Sequence, residues 1–171
     1  QADYRPIAVL AFPTPKGAEL AGVNIGSQKT NPFKLVNHKP DSPYQKLFNG
    51  KQFDGITFPE SLELQLQADS PQTIRSVFLT TRWFPRLLNP AGYFRMNLST
   101  SNDGKLWKPL TILQIPRGCW QTKQSPIVMS IPEITTAHIK IGIEWDIGNG
   151  NTLQEEPKLA EIRFSSRSEI Q

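Results

Sequence analysis

Two stretches of this 171-residue chain gather side chains that could do recognition chemistry. Between Thr81 and Tyr93 stand Arg82, Trp83, Phe84, Arg86 and Asn89, interrupted by Pro85 and Pro90. An aromatic face covers an apolar C–H patch while planar guanidinium and amide groups reach hydroxyls beside it, which is the pairing that a sugar ring requires. Between Trp145 and Glu156, the polar groups Asp146, Asn149, Asn151 and Gln154 sit among Gly148 and Gly150, the make-up of a loop that carries binding groups. His38, between Asn37 and Lys39, is a further binding candidate. Each aromatic also has a structural reading. Trp145 continues the apolar face of Ile139, Ile141 and Ile143, and Trp107 follows a turn, so both are expected mainly in the core. Trp83 and Phe84 are neighbours on a strand and point to opposite faces, so at least one of them is exposed. His138, out of phase with Ile139, reads as a surface strand residue.

Catalytic constellations are missing. Glu60, Glu63, Asp103, Glu144, Asp146, Glu155, Glu156 and Glu161 are available carboxyls, but no motif ties any two of them into the facing pair a glycosidase needs. Only His38 and His138 exist, without a zinc spacing or a Gly-x-Ser-x-Gly elbow. The single cysteine, Cys119, permits no intrachain disulfide and lacks a histidine partner in a nucleophile motif, so it reads as a small buried hydrophobe. The 19 basic residues are scattered among 15 acidic ones, which argues against nucleic acid as a partner. No apolar run approaches the roughly 20 residues that span a bilayer.

The elements that must position these groups are strands. Fifteen prolines and 11 glycines punctuate the chain too often for long helices, and strand-like runs occur at about 6–12, 62–67, 73–83, 92–100, 107–115, 126–131, 137–146 and 158–165. Leu62, Leu64 and Leu66 alternate with Glu63, Gln65 and Gln67, and Ile139, Ile141 and Ile143 alternate with Lys140, Gly142 and Glu144, the pattern of half-buried antiparallel strands. The expected fold class is all-β, an antiparallel β-sandwich in one domain over 1–171. Residues 13–54, rich in Pro, Gly, Asn and Lys, are expected to wrap it as long loops.

The most legible local unit is a hairpin. Phe94, Met96 and Leu98 share one face of a strand, Asn102-Asp103-Gly104 supplies a tight turn, and Trp107 opens a second run through Leu110, Ile112 and Ile115.

This hairpin, with its Ser-x-Asp-Gly-x-x-Trp turn at Ser101 to Trp107, resembles the discoidin or coagulation-factor type C family of galactose-binding-like jelly rolls. Leu47 to Gly55 stands where that family has an Asp-Gly-Asn loop, and Leu159-Ala160-Glu161-Ile162-Arg163-Phe164 is similar to its closing Ala-Glu-Ile-x-Val strand. The resemblance covers about residues 45–166. It implies a jelly-roll sandwich and a noncatalytic carbohydrate-binding module, extracellular or periplasmic in a bacterium, that keeps a parent enzyme near glycan. The alternative is a spacer or protein-interaction sandwich without sugar binding. Arg5 to Pro13 resembles a segment of large α-L-rhamnosidase-type enzymes, which implies an accessory module of such a glycoside hydrolase. The resemblance places ligand contacts in the two loops described above. It also implies a structural calcium, for which the matching positions are Asn49 and Glu161. Here a neutral Asn49 replaces the family's Asp and Lys51 stands beside it, which weakens the site; Asp54 is the compensating carboxylate.

Overall fold

In the computed structural model, the described residues are 31–50, 55–57, 59–83, 93–114, 127–146 and 158–166. They form seven strands and one short helix: β1 (Phe33–Leu35), a 3-10 helix (Pro43–Phe48), β2 (Ile56–Thr57), β3 (Ser61–Trp83), β4 (Tyr93–Ser101), β5 (Lys108–Gln114), β6 (Ile127–Asp146) and β7 (Lys158–Ser165). Every pairing among them is antiparallel. No helix among the described residues is long and apolar enough to cross a membrane.

The two longest strands each serve two layers. In its first half β3 pairs with β1 and with the second half of β6, and β6 continues to β4 and β5, giving a layer ordered β5-β4-β6-β3-β1. In its second half β3 lies between the first half of β6 and β7, with β2 beyond, giving β6-β3-β7-β2. The transfer happens at two register shifts, between Gln67 and Gln72 and between Ile74 and Ser76. Pro71 lies in the first, where Ala68 to Pro71 oppose Ala137 alone. Pro132 lies in the second, where Ile131 to Glu133 oppose Arg75. A proline cannot donate to a ladder, so both sit where the β3–β6 ladder is interrupted.

The core lies between the layers. Leu64, Leu66, Ile139, Ile141, Ile143, Met96 and Leu98 project from the first layer and Val77, Leu79, Ile162 and Phe164 from the second, all 2% exposed or less. Each such aliphatic side chain contributes roughly 1.5–3 kcal/mol by leaving water. The rings of Phe33 on β1 and Phe164 on β7 meet edge to face at 5.4 Å, which joins the layers directly.

Residues 31–50 contain more than loop. Phe33 and Leu35 of β1, together with Leu47 and Phe48 of the helix, are buried in the core. Ser42 caps the helix by accepting the Tyr44 N–H, and Pro43 occupies its first turn, where a missing N–H costs nothing. The expected strand at 6–12 lies outside the described residues.

Candidate functional site

The two loops singled out in the sequence are rooted at the same strand ends. One leaves β3 after Trp83 and enters β4 at Tyr93; the other leaves β6 after Asp146 and enters β7 at Lys158. Trp83 pairs with Lys158, and Tyr93 pairs with Asp146. The start of each connection is therefore hydrogen-bonded neighbour to the finish of the other. Arg82 and Trp83 are the last residues of β3. Their side chains, and the whole of Phe84, Arg86, Asn149 and Asn151, lie outside the described residues.

A third segment is tied to this end. The Trp145 indole Nε1–H donates to the Pro59 carbonyl at 2.9 Å, and its backbone N–H to the Glu60 carbonyl at 3.0 Å. Trp145 is half-buried and packs against the core, continuing the face of Ile139 to Ile143. Its indole N–H is committed within the chain, so what it can offer a ligand is ring surface.

His38 is placed elsewhere, along the edge of β3. Its Nε2 lies 3.2 Å from the Glu63 carbonyl. A carbonyl only accepts, so in this contact Nε2 is the donor. The ring is half-buried and meets Tyr44 edge to face at 5.0 Å. Beside it Asn37 imitates a strand residue, accepting the Gln65 N–H at 2.8 Å and donating to the Glu63 carbonyl at 3.1 Å. The sequence grouped His38 with the loops because it sits among polar residues; the structure seats it where β1 leaves the edge of β3.

For the calcium positions, Asn49 is the exposed C-cap of the 3-10 helix and Glu161 is half-buried on β7 opposite Thr80. The helix packs against β7, and β2 pairs with β7 two residues before Glu161, through Ile56 and Leu159. Both donors thus attach to one strand. They are hard oxygens of the kind calcium takes, but supply a single negative charge. Asp54 lies outside the described residues, and among those described no group of three or more His, Cys, Asp or Glu converges.

Reasoning from sequence missed a polar network on the outward face of the five-strand layer. Arg95 donates through Nε at 2.8 Å and through Nη2 to Oε2 of Glu144, and Asn97 Nδ2 donates to Oε1 of the same carboxylate at 3.0 Å. Further along the face, Lys140 lies 3.6 Å from Glu63 and 5.3 Å from the ring centroid of Trp107. Trp107, expected mainly in the core, is half-buried beneath that ammonium group and is not part of the core cluster. The strand alternation held the signal, but the cross-strand register that joins these groups is not written in any one strand.

The hairpin turn accounts for its own motif. Ser101 Oγ accepts the Gly104 N–H at 3.0 Å and donates to Asp103 Oδ1 at 2.9 Å, and the same Oδ1 accepts the N–H groups of Lys105 and Leu106, both at 2.9 Å. The backbone donors of Leu106 and Lys105, then the Ser101 hydroxyl, stabilise the charged form and lower the Asp103 pKa from 3.8 to about 2. Gly104 takes φ +72°, which an L side chain rarely adopts.

Comparison of the sequence with protein families and with curated proteins gives no match. Solved structures do match. The C-terminal domain of a chitobiase from Bacteroides fragilis is 16% identical over 80% of this chain and 95% of that chain, with a TM-score of 0.52. Module CBM32-3 of a family 31 glycoside hydrolase from Clostridium perfringens is 11% identical over 78% of this chain and 90% of that one, at 0.50. A rhamnosidase from Novosphingobium sp. PP1Y is 20% identical over 62% of this chain, at 0.42, and the match spans only 8% of that enzyme. The likeness shows the fold: this chain is an antiparallel β-sandwich like that of the chitobiase C-terminal domain and of module CBM32-3.

Proposed function

We propose that the chain is a noncatalytic carbohydrate-binding module, with its principal site at the sandwich end where β3, β4, β6 and β7 root the two connecting loops. The observation that carries this reading is the double pairing of roots, Trp83 with Lys158 and Tyr93 with Asp146. In the sequence, the connection between the roots Trp83 and Tyr93 is rich in aromatic and guanidinium groups, Arg82, Trp83, Phe84 and Arg86, and the connection between the roots Asp146 and Lys158 in amides, Asn149 and Asn151. These are the two kinds of group that sugar recognition combines. Trp145, hydrogen-bonded to Pro59, stiffens the base of the site.

The module acts by concentration: it holds an attached glycoside hydrolase, of rhamnosidase type on the resemblance of Arg5 to Pro13, near its polysaccharide outside the cell or in the periplasm. Contacts of this size correspond to millimolar to micromolar affinity, roughly 4–8 kcal/mol. A structural calcium belongs to this reading, for which Asn49, Asp54 and Glu161 would be the oxygen donors. A glycan array followed by calorimetric titration, with the intact chain and with Trp83→Ala, tests the function. Binding that Trp83→Ala abolishes supports it. A chain that binds no glycan is the spacer or protein-interaction sandwich instead.

A further inference from the structure

The 3-10 helix ends on Asn49-Gly50, a pair whose own atoms can react. The backbone nitrogen that follows an asparagine is a latent nucleophile for the side-chain amide carbon, and its attack closes a five-membered imide ring. Closure requires little bulk beside that nitrogen, an N–H not engaged elsewhere, a peptide plane that can turn, and access for water. Glycine meets the first requirement because it has no Cβ. Asn49 and Gly50 are both exposed, and the Gly50 N–H has no acceptor among the described residues. Asn49 holds φ −90° and ψ 0°, so its peptide plane must turn before the Gly50 nitrogen faces Cγ. The place favours that turn. It is the end of a 3-10 helix, where ends fray, and the Asn49 N–H reaches the Lys46 carbonyl only at 3.5 Å, long against a usual length of about 2.9 Å. Gly50, at φ +68°, can leave that conformation without steric cost.

The other described asparagines each lack one of these conditions. Asn31 precedes Pro32, which has no N–H to give up. Asn37 accepts the Gln65 N–H and donates to the Glu63 carbonyl, which fixes its amide along the edge of β3. Asn97 donates to Glu144 from a strand paired on both sides, where the peptide plane is locked by the ladders. Asn102 precedes Asp103, whose N–H is donated to Ser101 Oγ at 3.3 Å.

We propose that Asn49 is a site of spontaneous modification, at which the Gly50 nitrogen displaces the side-chain amide. The bond from Gly50 N to Asn49 Cγ forms and the Cγ–Nδ2 bond breaks. The proton of the Gly50 N–H leaves with Nδ2 as ammonia. Water then opens the imide at one carbonyl or the other, to aspartate or to isoaspartate. No electrons are exchanged, and water is the only co-reactant. Either product puts a carboxylate where a neutral amide stood, so the formal net charge falls by one from +4. Isoaspartate also lengthens the backbone directly after Leu47 and Phe48, the helix residues buried in the core. The reaction thus changes the charge and the reach of the run from the helix to β2, whether or not the loop end binds sugar.

The test is incubation of the folded, intact chain in ¹⁸O-labelled water at neutral pH, followed by tryptic digestion in ordinary water and mass spectrometry. The label separates reaction during incubation from reaction during digestion. Asn49 falls in the peptide Leu47 to Lys51, and the pair Asn149-Gly150 falls in another peptide and is scored apart. The Leu47 to Lys51 peptide should gain a labelled carboxyl in two forms, aspartate and isoaspartate, which chromatography separates. Because frayed ends open at a free energy near zero, the rate should lie within about tenfold of that of the free peptide of the same sequence. It should rise with pH, since the attacking nitrogen must lose its proton. Asn49→Gln keeps an amide but requires a larger ring, and its peptide should stay unlabelled over the same period. Three results overturn the proposal: a peptide that stays unlabelled in the folded chain while the free peptide reacts, labelling that appears only when urea unfolds the chain, or labelled aspartate with no isoaspartate, which is direct hydrolysis without the ring.

Discussion

Replacing Phe164 tests the two-layer architecture at the point where its layers touch. Phe164 on β7 and Phe33 on β1 are each 1% exposed, and their rings meet at 5.4 Å with planes 66° apart. Phe164→Ala removes a fully buried ring and leaves a cavity walled by both layers, a change that costs about 3–5 kcal/mol. That is a large part of the roughly 5–15 kcal/mol by which a domain is stable. At about 2–4 °C per kcal/mol for a chain of this length, the melting temperature should fall by roughly 6–20 °C. Urea unfolding followed by tryptophan fluorescence measures the loss. A cycle of Phe33→Leu, Phe164→Leu and the double variant then isolates the pair, for which an edge-to-face contact predicts coupling of about 0.5–1.5 kcal/mol. A loss below about 1 kcal/mol for Phe164→Ala, or a cycle with no coupling, would refute the packing described.

Three further expectations concern the turn and the helix-to-β2 run. Gly104→Ala meets both a left-handed backbone at φ +72° and the His138 Nδ1 at 3.2 Å from the new Cβ, so it should cost about 1–2 kcal/mol in urea unfolding, whereas Gly142→Ala should cost nothing. Asp103 has its folded pKa lowered to about 2 from 3.8; its charge therefore stabilises the turn above pH 3.8, and that contribution is lost as pH falls from 3.8 towards 2. An NMR titration of the Lys105 and Leu106 amides should accordingly show a midpoint near the lower value, and a midpoint at 3.8 would contradict the hydrogen bonds assigned to Oδ1. Calcium at ten times its dissociation constant should stabilise the chain by about 1.4 kcal/mol over the chain in chelator, a thermal shift that Glu161→Gln removes; an unchanged melting temperature in both conditions would show that Asn49, Asp54 and Glu161 hold no ion.

Much of the fold was legible because burial in a strand leaves a period of two. Leu62 to Leu66 and Ile139 to Ile143 alternate in sequence, and their apolar members are buried in the core. The runs 62–67 and 73–83, and 126–131 and 137–146, are expected from sequence as four strands. Each pair is one strand, since both prolines fall at the register shifts where the strands change layers. β1 escaped notice because three residues are too few to show a period. The 3-10 helix carried a readable cap in Ser42-Pro43, masked by the loop-like composition around it.

The candidate site was legible in composition more than in geometry. Aromatic, guanidinium and amide residues cluster visibly along the chain, and the topology then supplied what sequence lacks, the pairing of their strand ends. Trp107 shows the opposite case. A tryptophan after a turn suggests core, but β5 is paired only to β4 among the described strands, and it leaves Ile112 66% exposed and Trp107 half-buried beneath Lys140, outside the core cluster. Burial there is decided by how far the second layer extends, which no local pattern records.

The central claim, that the sandwich end rooted at Trp83, Tyr93, Asp146 and Lys158 binds glycan, is tested most directly by calorimetric titration of the glycan-array hits into the intact chain and Trp83→Ala. The account predicts a dissociation constant in the millimolar to micromolar range for the intact chain, and a loss of about tenfold or more in the variant at unchanged melting temperature. Equal affinity in the two proteins, or no heat from any glycan, would contradict it.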